Sequence, residues 1–239
     1  MNDSENQIIL IDKPAGISSF GMVAKIRSKL KAELGHKVKV GHTGTLDPFA
    51  TGLLILLTGK MTKKSNEFLK LDKVYEATLH LGYTSTTGDP EGEILKYPNS
   101  GAFGGYDREA GRAARNDGPA RPVPEWDILE STVLSFIGKN SQKVPQYSAV
   151  KINGERAYKL ARKGKKFETP TREIEIYSIE ILDYNYPELK IRTHVSSGTY
   201  IRTLAEDIGK ALGTGAYLTA LRRTKIGDYD IKDAIIDLC

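Results

Sequence analysis

The chain is organised around the stretch Gly41-His42-Thr43-Gly44-Thr45-Leu46-Asp47-Pro48-Phe49-Ala50-Thr51-Gly52-Leu53-Leu54. Its three glycines and one proline predict a tight loop whose path is set by the backbone. The proline after Asp47 favours an extended or turn conformation for that aspartate, so a stiff segment presents its carboxylate. An isolated Asp-Pro dipeptide usually does no more than form a turn. The loop by itself is therefore compatible with a structural role or a reactive one.

Strands are predicted on both sides of this loop. Lys37 to Val40 alternates polar and apolar residues, and Leu53 to Leu57 is a continuous apolar run typical of a buried strand. We also considered a phosphate-binding loop because a Gly-Lys pair follows. Six residues separate Gly52 from Gly59, however, and Met61 stands where that motif needs Ser or Thr. The phosphate loop is rejected, and Asp47 is predicted to lie between two strands.

Upstream of the loop, the pattern predicts a strand, a turn and a helix. Ile8 to Ile11 is a short apolar run, and Asp12 to Gly16 is rich in turn residues. Ser18 and Ser19 are candidate helix caps, and Gly35 is placed to end the helix. This part of the chain therefore leads into the loop from a helix.

Downstream of the loop, Lys73 to Leu81 alternates with period two and predicts another strand. Tyr75 and Leu79 lie on its apolar face, so the simplest interpretation of Tyr75 is a tyrosine in the core or at its rim. Near the end of the chain, Ile174 to Leu182 and Leu189 to Val195 alternate in the same way. The last two segments predict neighbouring strands.

A helix is predicted after Ser197-Gly198-Thr199, with Gly213 at its end. Its apolar stripe consists of Ile201, Leu204, Ala205, Ile208 and Leu212. Arg202 falls in the first turn, where the helix dipole mildly disfavours a cation. We therefore expect an acceptor beside Arg202, and a carboxylate is the natural candidate.

Composition narrows the class of protein. The chain has 239 residues, 39% of them apolar and 27% charged, with no apolar run long enough to span a membrane. We expect one domain, and its polar, acidic start does not resemble a secretory signal. The only cysteine is Cys239, and the four histidines lack metal-ligand spacing, so we expect neither a disulfide nor a bound metal and favour a cytoplasmic protein. A net charge of +5 is compatible with a polyanionic partner.

The segment from Pro98 to Pro124 differs in composition from its surroundings. Glycines and arginines are frequent there and large apolar residues are few, so the segment cannot bury much surface. We predict a flexible insertion, 98–124, within the domain. Contact between its arginines and RNA is an alternative that the sequence leaves open.

A second segment, Gln142 to Phe167, has eight basic residues and one acidic residue, Glu155. Aromatic residues are interleaved among them, which suits the backbone and bases of RNA. The competing interpretation is an ordinary solvated helix. The residues predicted to contact the RNA backbone are Lys151, Arg156, Lys159 and Lys163, the last three at helical spacing on one face.

Several of these stretches resemble one family. Gly-His-Thr-Gly-Thr-Leu-Asp-Pro-x-Ala-Thr-Gly-Leu-Leu resembles the signature of the TruB family of tRNA pseudouridine synthases. Asp-Lys-Pro-x-Gly, Ser-Gly-Thr-Tyr-Ile-Arg-Thr-Leu and the final Leu-Arg-Arg are similar to further motifs of that family. The basic segment 142–167 resembles its RNA-gripping insertion.

The resemblance implies a role for each matching residue. Asp47 would be the catalytic nucleophile, and Arg202 would pair with its carboxylate. Tyr75 would stack on the target base and is a candidate acceptor of its proton. The remaining predicted substrate-binding residues are His42, which would insert into the RNA, and Tyr200 and Leu221, which would line the pocket.

The resemblance also implies a fold and a reaction. The fold would be the α+β pseudouridine synthase fold, a mixed, largely antiparallel sheet with flanking helices and a central catalytic cleft. The reaction would convert uridine to pseudouridine at position 55, in the T-loop of tRNA, on a flipped-out base and without a cofactor. The expected partner is tRNA, and we expect a monomer with no obligate protein partner and no membrane. Only sixteen residues follow Arg223, so we expect no C-terminal PUA domain.

The residues present argue against three other functions. A non-catalytic RNA chaperone is disfavoured because Asp47, Tyr75 and Arg202 are all present. A hydrolase with Asp47 as its base lacks a second acid or histidine in a matching motif. A guide-RNA-directed enzyme of the dyskerin type is disfavoured because that branch depends on the PUA region.

Overall fold

The computed structural model describes residues 5–98, 106–107, 112–113 and 123–235. The chain divides into two compact units. Unit one consists of Met1–Ala77, Arg192–Gly198 and Ala220–Cys239; unit two consists of Thr78–Ile191 and Thr199–Thr219. The prediction of a single domain stays a prediction, and the predicted insertion 98–124 falls almost wholly outside the described residues.

The described residues form five α-helices and fifteen short or long strands. The helices are α1 Ser19–Leu34, α2 Ser65–Leu69, α3 Trp126–Leu134, α4 Ala157–Arg162 and α5 Ile201–Ala211. The strands are β1 Ile8–Lys13, β2 Val40–His42, β3 Thr51–Thr58, β4 Lys73–Leu81, β5 Tyr83–Ser85, β6 Ile94–Lys96, β7 Tyr106–Asp107, β8 Arg112–Ala113, β9 Gly138–Lys143, β10 Lys151–Ile152, β11 Glu155–Arg156, β12 Thr171–Asn185, β13 Glu188–Val195, β14 Ala216–Ile226 and β15 Tyr229–Asp230. Two 3₁₀ helices cover Gly59–Lys64 and Ile231–Asp233.

The strands within unit one follow the order β1-β3-β14-β4-β13, with β2 paired to β3 and β15 paired to β14. β1 and β2 are antiparallel to β3, whereas β14 runs parallel to it. β3 is the central element because both of its faces are covered. Leu54 and Leu56 pack with the buried side of α1, and Leu53, Ile55 and Leu57 pack in a second cluster. This two-sided burial explains the continuous apolar run that predicted the strand.

Helix α1 begins and ends as its sequence predicts. The Ser18 side chain accepts a hydrogen bond from the Gly21 N–H, and Gly35 ends the helix with φ = 76°, a left-handed conformation that glycine adopts without strain. The predicted strand from Lys37 is shorter in the structure. Only Val40–His42 pairs with β3.

The strands and strand segments of unit two follow the order β14-β4-β13-β12-β9, and β5-β6, β7-β8 and β10-β11 form separate two-stranded sheets. β9 is antiparallel to β12, with Gln142 opposite Arg172. The predicted strands β4, β12 and β13 are present, and the residues of β4 alternate between buried and half-buried. Helix α5 buries Ile201, Leu204, Ala205 and Ile208 of its predicted stripe, whereas Leu212 is half-buried just past its end; Gly213 follows with φ = 70°. These features confirm the predicted class, an α+β fold with a largely antiparallel sheet.

Candidate active site

The loop that carries Asp47 connects two antiparallel strands of unit one. β2 pairs with β3 from Val40 opposite Thr58 to His42 opposite Leu56, and the Thr43 N–H extends this pairing by donating to the Ile55 carbonyl at 3.1 Å. Within the loop, the Ala50 N–H donates to the Asp47 carbonyl at 3.1 Å. The predicted position of Asp47, in a tight loop between two strands, is confirmed.

Ser19 fixes the residue immediately before Asp47. Its hydroxyl accepts a hydrogen bond from the Leu46 N–H at 2.8 Å and donates one to the Leu46 carbonyl at 2.9 Å. Both side chains are buried, so the two bonds are shielded from water. The sequence suggested Ser19 only as a possible helix cap, and Ser18 has that role. The structure therefore assigns Ser19 a different task, which is to hold the Asp47 loop against α1.

Lys13 fixes the residue immediately after Asp47. The buried Lys13 ammonium donates to three backbone carbonyls, those of Pro14 at 2.9 Å, Ile17 at 2.8 Å and Pro48 at 3.3 Å. The Pro48 carbonyl also accepts the Gly16 N–H at 2.8 Å. The Asp-Lys-Pro-x-Gly turn is therefore bonded directly to the Asp47 loop.

The substitution Lys13→Met is expected to lower the free energy of unfolding by about 1.5–3 kcal/mol, because it removes a charged donor from three carbonyls. Urea unfolding followed by circular dichroism measures the change. Lys25→Met on the exposed side of α1 is the matched control and should change stability by less than about 0.5 kcal/mol. Equal losses for the two variants would contradict the role assigned to Lys13.

Arg223 spans the same loop. Its guanidinium is buried and donates through Nε to the Leu53 carbonyl at 2.8 Å and through Nη2 to the Gly44 carbonyl at 3.2 Å. β14 passes so close to the loop that a Cβ at Gly52 would lie 2.3 Å from the Arg223 carbonyl oxygen. Gly52 is therefore required by contact with the backbone. The neighbouring Arg222 pairs with both carboxylate oxygens of Asp12, at 3.1 and 2.6 Å.

Three other predicted substrate-binding residues belong to unit one. His42 ends β2, Tyr75 lies on the buried face of β4, and Leu221 is buried in β14. Burial, and secondly the positive charge of Arg223, lower the pKa of the His42 imidazole. A neutral ring is therefore favoured at physiological pH, which suits the predicted stacking on RNA. The RNA contacts of these residues stay predictions.

Arg202 is buried in the first turn of α5, in unit two. Its Nη1 donates to the Asp89 carboxylate at 3.2 Å and to the Thr87 carbonyl at 2.8 Å, and its Nη2 donates to the Tyr147 carbonyl at 2.8 Å. The side chains of Arg202 and Asp89 are only 6% and 3% exposed. The expected carboxylate beside Arg202 is thus present as Asp89, which the sequence analysis missed. Asp47 belongs to unit one, and its predicted pairing with Arg202 stays a prediction.

The turn that presents Asp89 has its own hydrogen bonds. Asp89 Oδ1 accepts from the Thr87 hydroxyl at 2.5 Å and from the Glu91 N–H at 3.0 Å. One carboxylate oxygen is therefore held by the turn while the other faces Arg202. A signal for this residue was available, because Gly-Asp-Pro at Gly88 to Pro90 repeats the Asp-Pro dipeptide of the first loop.

Glu206 lies one helical turn beyond Arg202. A Cβ at Gly88 would lie 2.4 Å from Glu206 Oε1 and 3.3 Å from Arg202 Cβ, so that glycine packs against both side chains. Burial raises the pKa of the Glu206 carboxyl to about 7; the charge of Arg202 opposes the shift, and Asp207 and Asp89 add to it. Burial also raises the pKa of Asp207, against the charge of Lys210.

The raised pKa of Glu206 predicts how stability depends on pH. The folded protein binds this proton more tightly than the unfolded chain, so stability should fall as pH rises from about 4.5 to about 7 and level off above it. The substitution Glu206→Gln should make stability depend less steeply on pH in this range. The part of the pH dependence that comes from Asp207 should remain. Thermal unfolding at a series of pH values measures it, with the exposed Glu67→Gln as control. A slope unchanged by Glu206→Gln would contradict the assignment.

The predicted RNA-backbone residues are all exposed, but they do not form one helical face. Lys151 and Arg156 lie in the hairpin of β10 and β11, Lys159 lies in α4, and Lys163 follows the end of that helix. The helix is shorter than predicted because the hairpin turn at Asn153-Gly154 precedes it. Lys163 pairs with Glu155 at 2.6 Å. The four side chains therefore extend from a hairpin onto a short helix.

Across the described ranges, no group of three or more histidine, cysteine or acidic side chains is arranged to hold a metal ion. The same residues contain no helix that is both long and apolar enough to cross a membrane.

Two solved structures resemble the fold over 97% of the chain. One is the crystal structure of a Cbf5-Nop10-Gar1 complex, with a TM-score of 0.65 and 28% identity over 52% of the matched chain. The other is an H/ACA RNP bound to a substrate RNA containing 2'-deoxyuridine, with a TM-score of 0.63 and 27% identity over 51% of the matched chain. This protein spans about half the length of those chains. The fold is therefore shared with the matched chains of these two complexes.

The sequence comparisons identify the family. Residues 27–114 and 106–201 match the family described as TruB family pseudouridylate synthase, N-terminal domain, and residues 202–238 match the tRNA pseudouridylate synthase B C-terminal domain. A tRNA pseudouridine synthase B from Phocaeicola vulgatus is 44% identical over 98% of this chain and 92% of its own length. Another tRNA pseudouridine synthase B, from Flavobacterium johnsoniae, is 43% identical over 97% of this chain and 93% of its own length. The chain belongs to the TruB family of pseudouridine synthases, which are isomerases, and the predicted resemblance is confirmed.

Proposed function

We propose that this protein isomerises uridine to pseudouridine at position 55, in the T-loop of tRNA, with Asp47 as the nucleophile. The observation that carries the proposal is the fixation of the Asp47 loop. Side chains bond the backbone of Leu46 and of Pro48, on either side of Asp47. A carboxylate held in this way is positioned before the substrate arrives, which is what nucleophilic catalysis on an extracted base requires.

The reaction is an exchange of one bond for another within a single nucleotide. The N1–C1′ bond breaks, the uracil turns, and a C5–C1′ bond forms, while C5 loses a proton and N1 gains one. No electron acceptor or energy source is consumed. Asp47 would attack the substrate, with attack at C1′, attack at C6 and glycal formation as alternative routes.

The other site residues would hold the base and exclude water. Tyr75 would stack against the extracted uracil and accept the C5 proton, and a base–aromatic stack is worth about 1–3 kcal/mol. Tyr200 and Leu221 would complete the enclosure, and His42 would stack in the RNA at the vacated position. Arg202 would keep Asp47 ionised, since an opposite charge lowers the pKa of a carboxyl group.

The predicted grip on the RNA backbone would come from the exposed cations of the hairpin and α4. Lys151, Arg156, Lys159 and Lys163 would contact phosphates of the T stem-loop, giving an affinity that falls with rising salt. The protein would act on tRNA as a monomer in the cytoplasm. Recognition would depend on the shape of the folded loop.

The experiment is release of tritium from tRNA transcripts labelled at C5 of uridine. We expect release of one tritium per tRNA, and none from a transcript with cytidine at position 55. Release that persists from the cytidine transcript would contradict the target position. Tight binding without release from either RNA would favour the non-catalytic chaperone.

A further inference from the structure

Gln142 makes an unusual pair of contacts in unit two. Its side-chain Oε1 accepts a hydrogen bond from the Tyr200 N–H at 2.8 Å, and its Nε2 donates one to the Tyr200 carbonyl at 3.0 Å. Gln142 lies in β9 and is only 3% exposed. A buried amide thus bonds both polar groups of one backbone residue, much as a neighbouring strand would.

Tyr200 is the residue at which the chain enters α5. Its backbone is extended, with φ = −99° and ψ = 109°, and its side chain does not cap the helix. Its carbonyl also accepts the Leu204 N–H at 3.1 Å, the first hydrogen bond of the helix. Gln142 therefore holds the group from which α5 starts.

The chain that follows Gln142 contacts the same helical turn again. Five residues later, the Tyr147 carbonyl accepts a hydrogen bond from Arg202 Nη2 at 2.8 Å. The segment from Gln142 to Tyr147 consequently fixes two points of the first turn of α5, one at Tyr200 and one at Arg202. Both are predicted site residues, so a change at Gln142 should move groups that face the substrate.

We propose that Gln142 is a positioning residue, which sets the orientation of Tyr200 and of the first turn of α5 for pseudouridine formation. It acts through the Tyr200 backbone and does not touch the RNA. The amide is suited to this task because it supplies one donor and one acceptor in a fixed plane. The inference rests on the proposed function, since it assumes that Tyr200 lines the uridine pocket.

The test compares Gln142→Met with Gln142→Glu under single-turnover conditions, using the tritium-labelled tRNA. Gln142→Met removes both hydrogen bonds at nearly constant volume, and a misplacement of about 1 Å at a reacting site can reduce the rate by about 100-fold. We expect a rate reduced about 10- to 100-fold with tRNA affinity within about threefold of the unaltered protein, since the phosphate contacts are untouched.

Gln142→Glu adds a second measurement, the pH dependence of the rate, which a general loss of stability would not change in the same way. An ionised carboxylate still accepts the Tyr200 N–H but repels the Tyr200 carbonyl, whereas a protonated carboxyl group donates to that carbonyl as the amide does. Burial should keep the pKa of the introduced carboxyl high. The rate of this variant relative to the unaltered protein should therefore recover as pH falls from about 8 to about 6, and Gln142→Met should show no recovery.

Asn140→Leu provides the matched control. Asn140 lies two residues earlier in β9, and its side-chain amide also donates to backbone carbonyls, those of Phe136 at 2.7 Å and Gly138 at 3.0 Å. Its loss should leave the single-turnover rate unchanged. An unreduced rate for Gln142→Met, or equal reductions for Gln142→Met and Asn140→Leu, would overturn the positioning role while leaving the proposed function intact. An unaltered protein that releases no tritium would overturn both.

Discussion

The substitution Asp47→Asn is expected to reduce tritium release from tRNA on the order of a thousandfold or more, because an amide cannot act as the nucleophile. The loop should keep its shape in this variant. The contacts that fix it are made by the backbone of Leu46, Pro48 and Ala50, and none requires the carboxylate. Single-turnover tritium release and filter binding of tRNA separate the loss of chemistry from a loss of binding.

Asp228→Asn is the matched control for that experiment, since Asp228 is an exposed aspartate of the same unit. Its release rate should equal that of the unaltered protein. Affinity of the Asp47→Asn variant for tRNA should stay within a few-fold. Release by Asp47→Asn at the unaltered rate would remove this carboxylate from the mechanism.

The substitution Arg202→Met is expected to have the largest effect on folding. It leaves the buried Asp89 carboxylate without the guanidinium that donates to it. Removing one partner of a buried ion pair typically costs about 3–5 kcal/mol. The Thr87 and Tyr147 carbonyls also lose a donor. Urea unfolding should report a loss of that size, and tritium release should fall with it.

A second substitution shows whether the loss of stability comes from the uncompensated charge of Asp89 or from the lost packing of Arg202. Arg202→Met combined with Asp89→Asn removes both charges, and we expect it to be more stable than Arg202→Met alone. Arg222→Met is the control, because its pair with Asp12 is 40% and 18% exposed and should contribute at most about 1 kcal/mol. An Arg202→Met variant no less stable than Arg222→Met would refute the buried pair.

What the sequence predicts well in this protein is local. The alternation of Lys73 to Leu81 and the apolar run at Leu53 place two strands, because burial on one face or on two leaves a short-range pattern. Ser18 and Gly35 likewise mark the ends of α1 through contacts within a few residues. Asp47 could be predicted as a site residue because its motif is contiguous along the chain.

What the sequence does not predict is the set of side chains that act across long stretches of chain. Ser19 bonds a residue 27 positions away, Gln142 bonds one 58 positions away, and Arg202 meets Asp89 across 113. No periodicity links such pairs, since each depends on which segments the sheet brings together. The prediction that Arg156 and Lys163 share one helical face was wrong for a related reason. The β10–β11 hairpin occupies the start of the expected helix.

Arg223 has a consequence for how the enzyme uses its affinity for RNA. By donating to the carbonyls of Gly44 and Leu53, it ties the Asp47 loop together from one end to the other. A loop whose conformation is already fixed loses little conformational entropy when tRNA binds. Under the proposed mechanism, contact energy between protein and RNA would then remain for unstacking the uridine, which is the costly step of base extraction.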